Sequence, residues 1–198
     1  MEREQLEHVI RAASAITLEK EFVIVGSQSI LGKFPNAPLS LKVSTELDIY
    51  PRTFSEKLTD LIDGSIGEGS PFNETYGYYA QGVGPNTAVL PKGWEGRLTR
   101  VEGPNLNGAT GYCIDVHDLA LSKYVANRDK DRDFNQELIR NNMVDPATLK
   151  SRVKLLPIDQ TRQDLILAAI SRDENSVAAS LPQLAPVAAP PKRPRSKG

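Results

Sequence analysis

Two short segments constrain the fold of this chain most: an apolar strand that ends in Gly26-Ser27, and a later strand that carries Glu46-Leu47-Asp48. Phe22-Val23-Ile24-Val25 is a run of β-favouring residues and predicts a buried strand. Residues 27–31 predict a short helix, and residues 41–50 predict the second strand. A strand, a glycine turn, a short helix and another strand, in this order, indicate an α/β domain.

Glu46 and Asp48 are two residues apart on the second predicted strand, so both side chains point to the same face of the sheet. Neighbouring carboxylates repel each other, and a bound divalent cation removes that cost. The pair predicts Mg²⁺, which takes one or two protein carboxylates and completes its shell with water and phosphate oxygens. The alternative is a solvated face of an edge strand.

Gly26-Ser27 directly follows the first strand. A glycine in this position permits a tight turn and a close approach of a ligand to the backbone. The residues after it begin a helix whose free N–H groups favour phosphate, and Ser27 adds a hydroxyl donor. The alternative is a simple strand-to-helix turn. Together with the carboxylate pair, the turn predicts a phosphate site beside a metal site.

The order Val25-Gly26-Ser27, short helix, Ser44-Thr45-Glu46-Leu47-Asp48-Ile49 resembles the first motif of the nucleotidyltransferase (polymerase-β-like) superfamily. In detail the chain is most similar to small bacterial nucleotidyltransferase-like proteins of uncharacterised function, which are related to the toxin half of abortive-infection toxin–antitoxin pairs. The resemblance implies that Glu46 and Asp48 hold Mg²⁺ and that Gly26 and Ser27 bind the triphosphate of a nucleoside triphosphate (NTP). Glu46 stands where the family usually has Asp, and the linker before it is long.

A later segment extends the resemblance, which covers roughly residues 20–140. Such proteins carry a helix with a Lys and, farther on, Arg-x-Lys-Asp, as in Lys123 and the run from Arg128 to Asp131. The resemblance implies that Lys123 and Asp131 take part in catalysis. It also implies that Lys123 binds phosphate and that Arg128 and Lys130 are further nucleotide ligands. The residues alone also allow a snorkelling surface lysine and a solvated, charged helix face.

The superfamily normally uses a third carboxylate as the base for the attacking hydroxyl, and Asp115 is the candidate here. It lies on the strand before the long predicted helix. The alternative, equally weighted, is that Asp115 and Asp118 cap that helix. Asp63 is another carboxylate to consider, although its glycine-rich surroundings predict that it shapes a turn.

The implied activity is Mg²⁺-dependent transfer of a nucleotidyl group from an NTP to a hydroxyl, with tRNA or a protein as plausible acceptors. Glu46 also supports an alternative, in which the chain is a non-catalytic member of the fold with an interaction or regulatory role. A third hypothesis is a toxin that pairs with an antitoxin.

The complete prediction is a mixed-sheet α/β (α+β) core flanked by helices. A nucleotidyltransferase-like domain occupies residues 1–142, helices packed on it occupy residues 143–173, and a disordered Ala/Pro-rich basic tail occupies residues 174–198. The predicted helices are 2–16, 27–31, 55–62, 119–141, 148–155 and 161–170. The predicted strands are 22–25, 41–50, 76–81, 97–101 and 111–116, the last two as an antiparallel pair.

Composition limits the partners. The net charge of −1 gives no overall attraction to nucleic acid or to anionic membranes, so a polyanion must be held by a local cluster of cations. The single cysteine, Cys113, excludes an internal disulfide and a Cys-rich zinc site, which fits a cytoplasmic location. We expect no signal peptide and no membrane partner, because the first residues are charged and the longest apolar run is short.

Overall fold

A computed structural model describes residues 1–180 of the chain. The strands are β1 (Glu21–Ile24), β2 (Glu46–Pro51), β3 (Tyr79–Gly82), β4 (Thr99–Val101) and β5 (Thr110–Cys113). The α-helices are α1 (Arg3–Thr17), α2 (Glu56–Ile66), α3 (Pro71–Tyr76), α4 (Val116–Ala126), α5 (Asp129–Arg140), α6 (Pro146–Val153) and α7 (Gln160–Ser180). Short 3₁₀ turns occupy Ser27–Gly32, Leu39–Leu41, Trp94–Arg97 and Pro104–Leu106.

The strands form one five-stranded sheet in the order β3-β2-β1-β5-β4. β1 pairs antiparallel with β2 and parallel with β5, β2 pairs parallel with β3, and β4 pairs antiparallel with β5. The mixed sheet with flanking helices confirms the predicted fold class. It also confirms the predicted antiparallel pair of the last two strands.

The two faces of the sheet differ in chemistry. Ile24 and Ile49 are paired across β1 and β2 and are fully buried. Ile24 lies beside Ile10 of α1, since a Cβ on Gly111 would meet both side chains, so helices cover this face. By alternation, the opposite face of β2 carries Glu46 and Asp48, both of which are half-buried. The sheet therefore presents its carboxylates on the face away from α1.

The predicted long helix over residues 119–141 is wrong, because two helices occupy it. Asn127 adopts a left-handed conformation with φ 53°, which ends α4. Asp131 then accepts a hydrogen bond from the backbone N–H of Arg128 and so begins α5. The cap of α4 is Asp115, whose side chain accepts from His117 N, while Asp118 lies inside the helix.

The middle of the chain also differs from prediction. β2 begins only at Glu46, because the chain before it forms the 3₁₀ turn Leu39–Leu41. α2 continues to Ile66, since Ile62 and Ile66 lie one turn apart and are both buried. Asp63 is therefore helical rather than in a turn, and its Oδ1 accepts a 2.6 Å hydrogen bond from Gly82 N.

The C-terminal helices pack on the core through Leu149 and Ile170, both fully buried. Because α7 extends to Ser180, the predicted start of disorder at residue 174 is wrong for residues 174–180. The rest of the predicted tail, residues 181–198, lies outside the described residues. Among the helices within residues 1–180, none combines the length and the apolar character needed to cross a bilayer.

Candidate functional site

A cleft of about 1010 Å³ opens over the face of the sheet that carries Glu46 and Asp48. Its walls come from the turn after β1, from β2, from the loop after β3, and from α4 and α5. Seven residues predicted from the sequence line it: Gly26, Ser27, Glu46, Asp48, Lys123, Arg128 and Lys130. Residues from distant parts of the chain thus meet in one cavity.

Gly26 and Asp48 interlock at the floor of the cleft. Gly26 has φ 66°, a left-handed conformation that favours glycine, and a Cβ there would overlap Oδ2 of Asp48. The backbone N–H of Val25 also donates to the carbonyl of Asp48 at 3.1 Å. The turn after β1 and the carboxylate of β2 therefore hold each other in place.

We expect Gly26→Ala to lower the free energy of unfolding by about 3 kcal/mol or more, because left-handed strain adds to a clash with the Asp48 carboxylate. The matched control is Gly69→Ala. Gly69 has φ 71°, and a Cβ added to it would meet no atom within 4 Å, so its substitution costs only the strain of about 1–2 kcal/mol. Urea denaturation measures both. Equal losses would contradict the interlock.

Burial, together with a hydrogen bond to the adjacent Glu46 and the charge of Glu46, raises the pKa of Asp48 to about 7. Lys123 and Lys130 act in the opposite direction. Glu46 in turn accepts a 3.2 Å hydrogen bond at Oε2 from the hydroxyl of Tyr79 on β3. Burial and the Glu46 charge raise the pKa of Tyr79 to about 12, so its hydroxyl stays protonated.

The carboxylate pair matches the oxygen chemistry of Mg²⁺, and a cation between the two groups offsets the repulsion that raises the pKa of Asp48. In the part of the chain that the structure describes, no group of three or more His, Cys, Asp or Glu is placed to hold a metal ion. Two carboxylates are nevertheless sufficient for Mg²⁺ when substrate phosphates complete its shell.

Lys123 is buried at the cleft wall, with 7% of its surface exposed. Its Nζ lies 3.1 Å from Ser27 Oγ and 3.1 Å from Asp131 Oδ1, and 4.3 Å from the ring centroid of Phe134. Burial lowers the pKa of Lys123, although Asp131 opposes this shift. The lysine therefore does not snorkel to solvent, and it connects α4 to the glycine turn.

Asp131 is fully buried and does not line the cleft. Burial alone would raise its pKa, but hydrogen bonds from Arg128 and Lys123 outweigh burial and lower the pKa. Arg128 Nε lies 2.7 Å from Asp131 Oδ2. The structure thus places Asp131 behind the cleft, where it holds two of the predicted nucleotide ligands. Lys130 lines the cleft itself.

Asp115 is separated from this site. It caps α4, and Arg152 Nη1 donates to its Oδ1 at 2.6 Å. Burial would raise the pKa of Asp115, but hydrogen bonds from His117 and Arg152 outweigh burial and hold the pKa well below its usual range. It does not line the cleft. The structure therefore shows the predicted capping alternative for Asp115.

Tyr79 and Gln81 are site residues whose place beside the carboxylate pair the sequence patterns did not indicate. They stand on β3 directly opposite Glu46 and Asp48. The predicted strand over residues 76–81 indicated that both side chains lie on one face, because side chains alternate along a strand. The parallel pairing of β2 with β3, which brings that face beside the carboxylates, is a tertiary contact that the sequence did not indicate.

Comparison with known protein families assigns the chain to a family. No curated protein and no solved structure matches the chain. Residues 4–173 match the family described as "Nucleotidyltransferase of unknown function (DUF6036)". The match covers most of the chain, including every element that builds the cleft. The chain therefore belongs to this nucleotidyltransferase family.

Proposed function

We propose that this chain transfers a nucleotidyl group from an NTP to a hydroxyl acceptor with the help of Mg²⁺. The observation that carries the proposal is the convergence of three groups in one cleft: the Gly26-Ser27 turn, the Glu46/Asp48 pair and buried Lys123. Family membership supports the reaction class.

The triphosphate occupies the side of the cleft that holds the cations. Gly26 brings its backbone close to the phosphates, and Ser27 can donate its hydroxyl proton because it accepts from Lys123. Lys123, Arg128 and Lys130 neutralise phosphate charge and stabilise the charge that develops on the leaving pyrophosphate. Asp131 keeps Lys123 and Arg128 oriented.

Glu46 and Asp48 line the same cleft, with Asp48 beside the Gly26 turn, and would hold Mg²⁺. When bound, Mg²⁺ supplies Lewis-acid polarisation of the phosphoryl oxygens and neutralises their charge. Asp48 is held by packing against Gly26, and Glu46 by the Tyr79 hydroxyl. These contacts keep both carboxylates directed toward the cleft.

In the reaction, the acceptor hydroxyl gives its proton to solvent water, its oxygen bonds to the α-phosphorus, the bond from that phosphorus to the α,β-bridging oxygen breaks, and pyrophosphate leaves. Phosphoryl transfer depends mainly on positioning and electrostatic stabilisation, so a chain with these groups has what the chemistry requires. We do not assign Asp115 the role of base in this proposal, because Arg152 binds its carboxylate outside the cleft.

Calorimetric titration with ATP, GTP, CTP and UTP, each with and without Mg²⁺, tests the proposal. We expect at least one NTP to bind only with Mg²⁺, and pyrophosphate to be released when an acceptor is present. Failure of all four to bind would overturn the proposal. Mg²⁺-dependent binding without pyrophosphate release from any acceptor would instead support the non-catalytic, regulatory alternative.

The toxin-like resemblance suggests tRNA or a protein as the acceptor and an antitoxin as a partner, and these hypotheses need a separate assay. Labelled NTP is incubated with the chain and with total tRNA or cell protein, and the labelled fraction identifies the acceptor. Growth arrest on expression that Asp48→Asn relieves would support the toxin hypothesis and justify a search for an antitoxin. Growth at the normal rate would count against it.

A further inference from the structure

The β2–β3 pair places a neutral hydrogen-bonding side chain directly opposite each carboxylate. Glu46 faces Tyr79 and Asp48 faces Gln81 across the parallel register. Tyr79 Oη donates to Glu46 Oε2 at 3.2 Å. This hydrogen bond favours one orientation of the Glu46 carboxylate, in which Oε2 is turned to the phenol.

We propose that Tyr79 is a positioning residue that orients Glu46 as a metal ligand. This inference rests on the proposed function, because it assumes that Glu46 and Asp48 hold Mg²⁺. By holding the carboxylate of Glu46, the Tyr79 hydroxyl makes this longer side chain suitable as a metal ligand.

The two carboxylates need different kinds of support. Asp48 has a short side chain and is fixed by its contact with the Gly26 backbone. Glu46 has one more rotatable bond, so its carboxylate samples more positions unless something holds it. A hydroxyl that donates to one oxygen fixes the group and leaves the other oxygen free for a cation. Hydrogen-bonding partners of this kind commonly change metal affinity by about 10–100-fold.

The neighbouring Tyr78 provides a matched comparison. It precedes Tyr79 by one residue, and its hydroxyl lies 2.7 Å from Nδ1 of His8 on α1, not beside a carboxylate. Neither tyrosine lines the cleft itself, but Tyr79 lines the smaller neighbouring cavity that Glu46 also borders. Tyr78→Phe and Tyr79→Phe therefore remove the same atom from adjacent residues, but only Tyr79→Phe frees Glu46.

The experiment measures Mn²⁺ affinity by electron paramagnetic resonance, with a saturating α,β-methylene analogue of the NTP that binds best. We expect Tyr79→Phe to weaken Mn²⁺ binding by about tenfold or more, with the melting temperature within about 3 °C of wild type. Tyr78→Phe should leave Mn²⁺ affinity unchanged. Wild-type affinity in Tyr79→Phe, or equal weakening in both variants, would overturn the proposal.

A double-mutant cycle with Glu46→Asp distinguishes positioning of Glu46 from a general structural effect of Tyr79→Phe. The Glu46→Asp side chain is too short to reach the phenol, so in that background Tyr79→Phe should weaken Mn²⁺ binding no further. If Tyr79→Phe lowers Mn²⁺ affinity equally in the wild-type and Glu46→Asp backgrounds, the proposal is overturned. If wild type itself binds no Mn²⁺ with any NTP analogue, the proposed function fails as well. If wild type binds Mn²⁺ and Tyr79→Phe binds it equally well, only the proposed role of Tyr79 is contradicted.

Discussion

Asp48→Asn is expected to lower turnover by about 10³-fold or more, because it removes a half-buried carboxylate of the proposed metal site. Asn is almost the same size as Asp, so the contact with Gly26 survives and the fold is retained. The measurement is pyrophosphate release at saturating NTP and Mg²⁺. The control is Asp60→Asn, which changes an exposed carboxylate on α2 outside the cleft.

The same variant has an expected effect on stability. The pKa of Asp48 is about 7 in the folded chain and 3.8 in an ordinary environment, so the folded state binds more protons between these values. Stability is therefore highest below pH 4 for this group and is lost as the pH rises through about 7. At pH 8 we expect Asp48→Asn to exceed wild type by about 1–3 kcal/mol, with the difference vanishing near pH 4.

Mg²⁺ with NTP should reverse this difference, since ligands that bind the folded state raise its stability. At pH 8 the melting temperature of wild type should rise on addition of both, and that of Asp48→Asn should not. Equal thermal shifts in the two proteins would contradict a metal role for Asp48. An Asp48→Asn variant with wild-type turnover would contradict the proposed function itself.

Lys123→Met is expected to lower both NTP affinity and stability, because Lys123 contacts both Ser27 of the proposed phosphate turn and buried Asp131. We expect NTP affinity to fall by about 10–100-fold, as for loss of a charged hydrogen bond. Stability should fall by about 1–3 kcal/mol, less than for a fully unpaired buried charge, because Arg128 still binds Asp131.

A double variant distinguishes the two losses. Lys123→Met with Asp131→Asn removes both buried charges, so we expect it to recover most of the stability but none of the NTP affinity. The control is Lys150→Met, which removes a cation paired with Glu174 on α7, away from the cleft. If the double variant recovers affinity together with stability, Lys123 is a structural residue only.

Much of this site was predictable because its signals are local. The glycine after an apolar strand, and two carboxylates separated by one residue on the next strand, report on backbone conformation and on side-chain direction. Both features lie in the cleft as the order of elements predicts. Lys123 was found from the resemblance, whereas its burial against Asp131 depends on how α4 and α5 pack.

The points at which the structure departs from expectation have different physical origins. Asp48 lies on β2 and Asp115 follows β5, so the strand order separates them, and the packing of α6 against α4 brings Arg152 to Asp115. The break between α4 and α5 depends on the left-handed conformation of Asn127, which many asparagines do not adopt.

The α/β class, the glycine turn and the carboxylate pair follow from the amino-acid sequence, because each depends on local periodicity and backbone preference. Three further facts come from the folded structure: Tyr79 faces Glu46, Asp131 holds Lys123 and Arg128, and Asp115 lies outside the cleft. Those facts depend on strand order, register and helix packing, which bring together residues that are far apart in the chain.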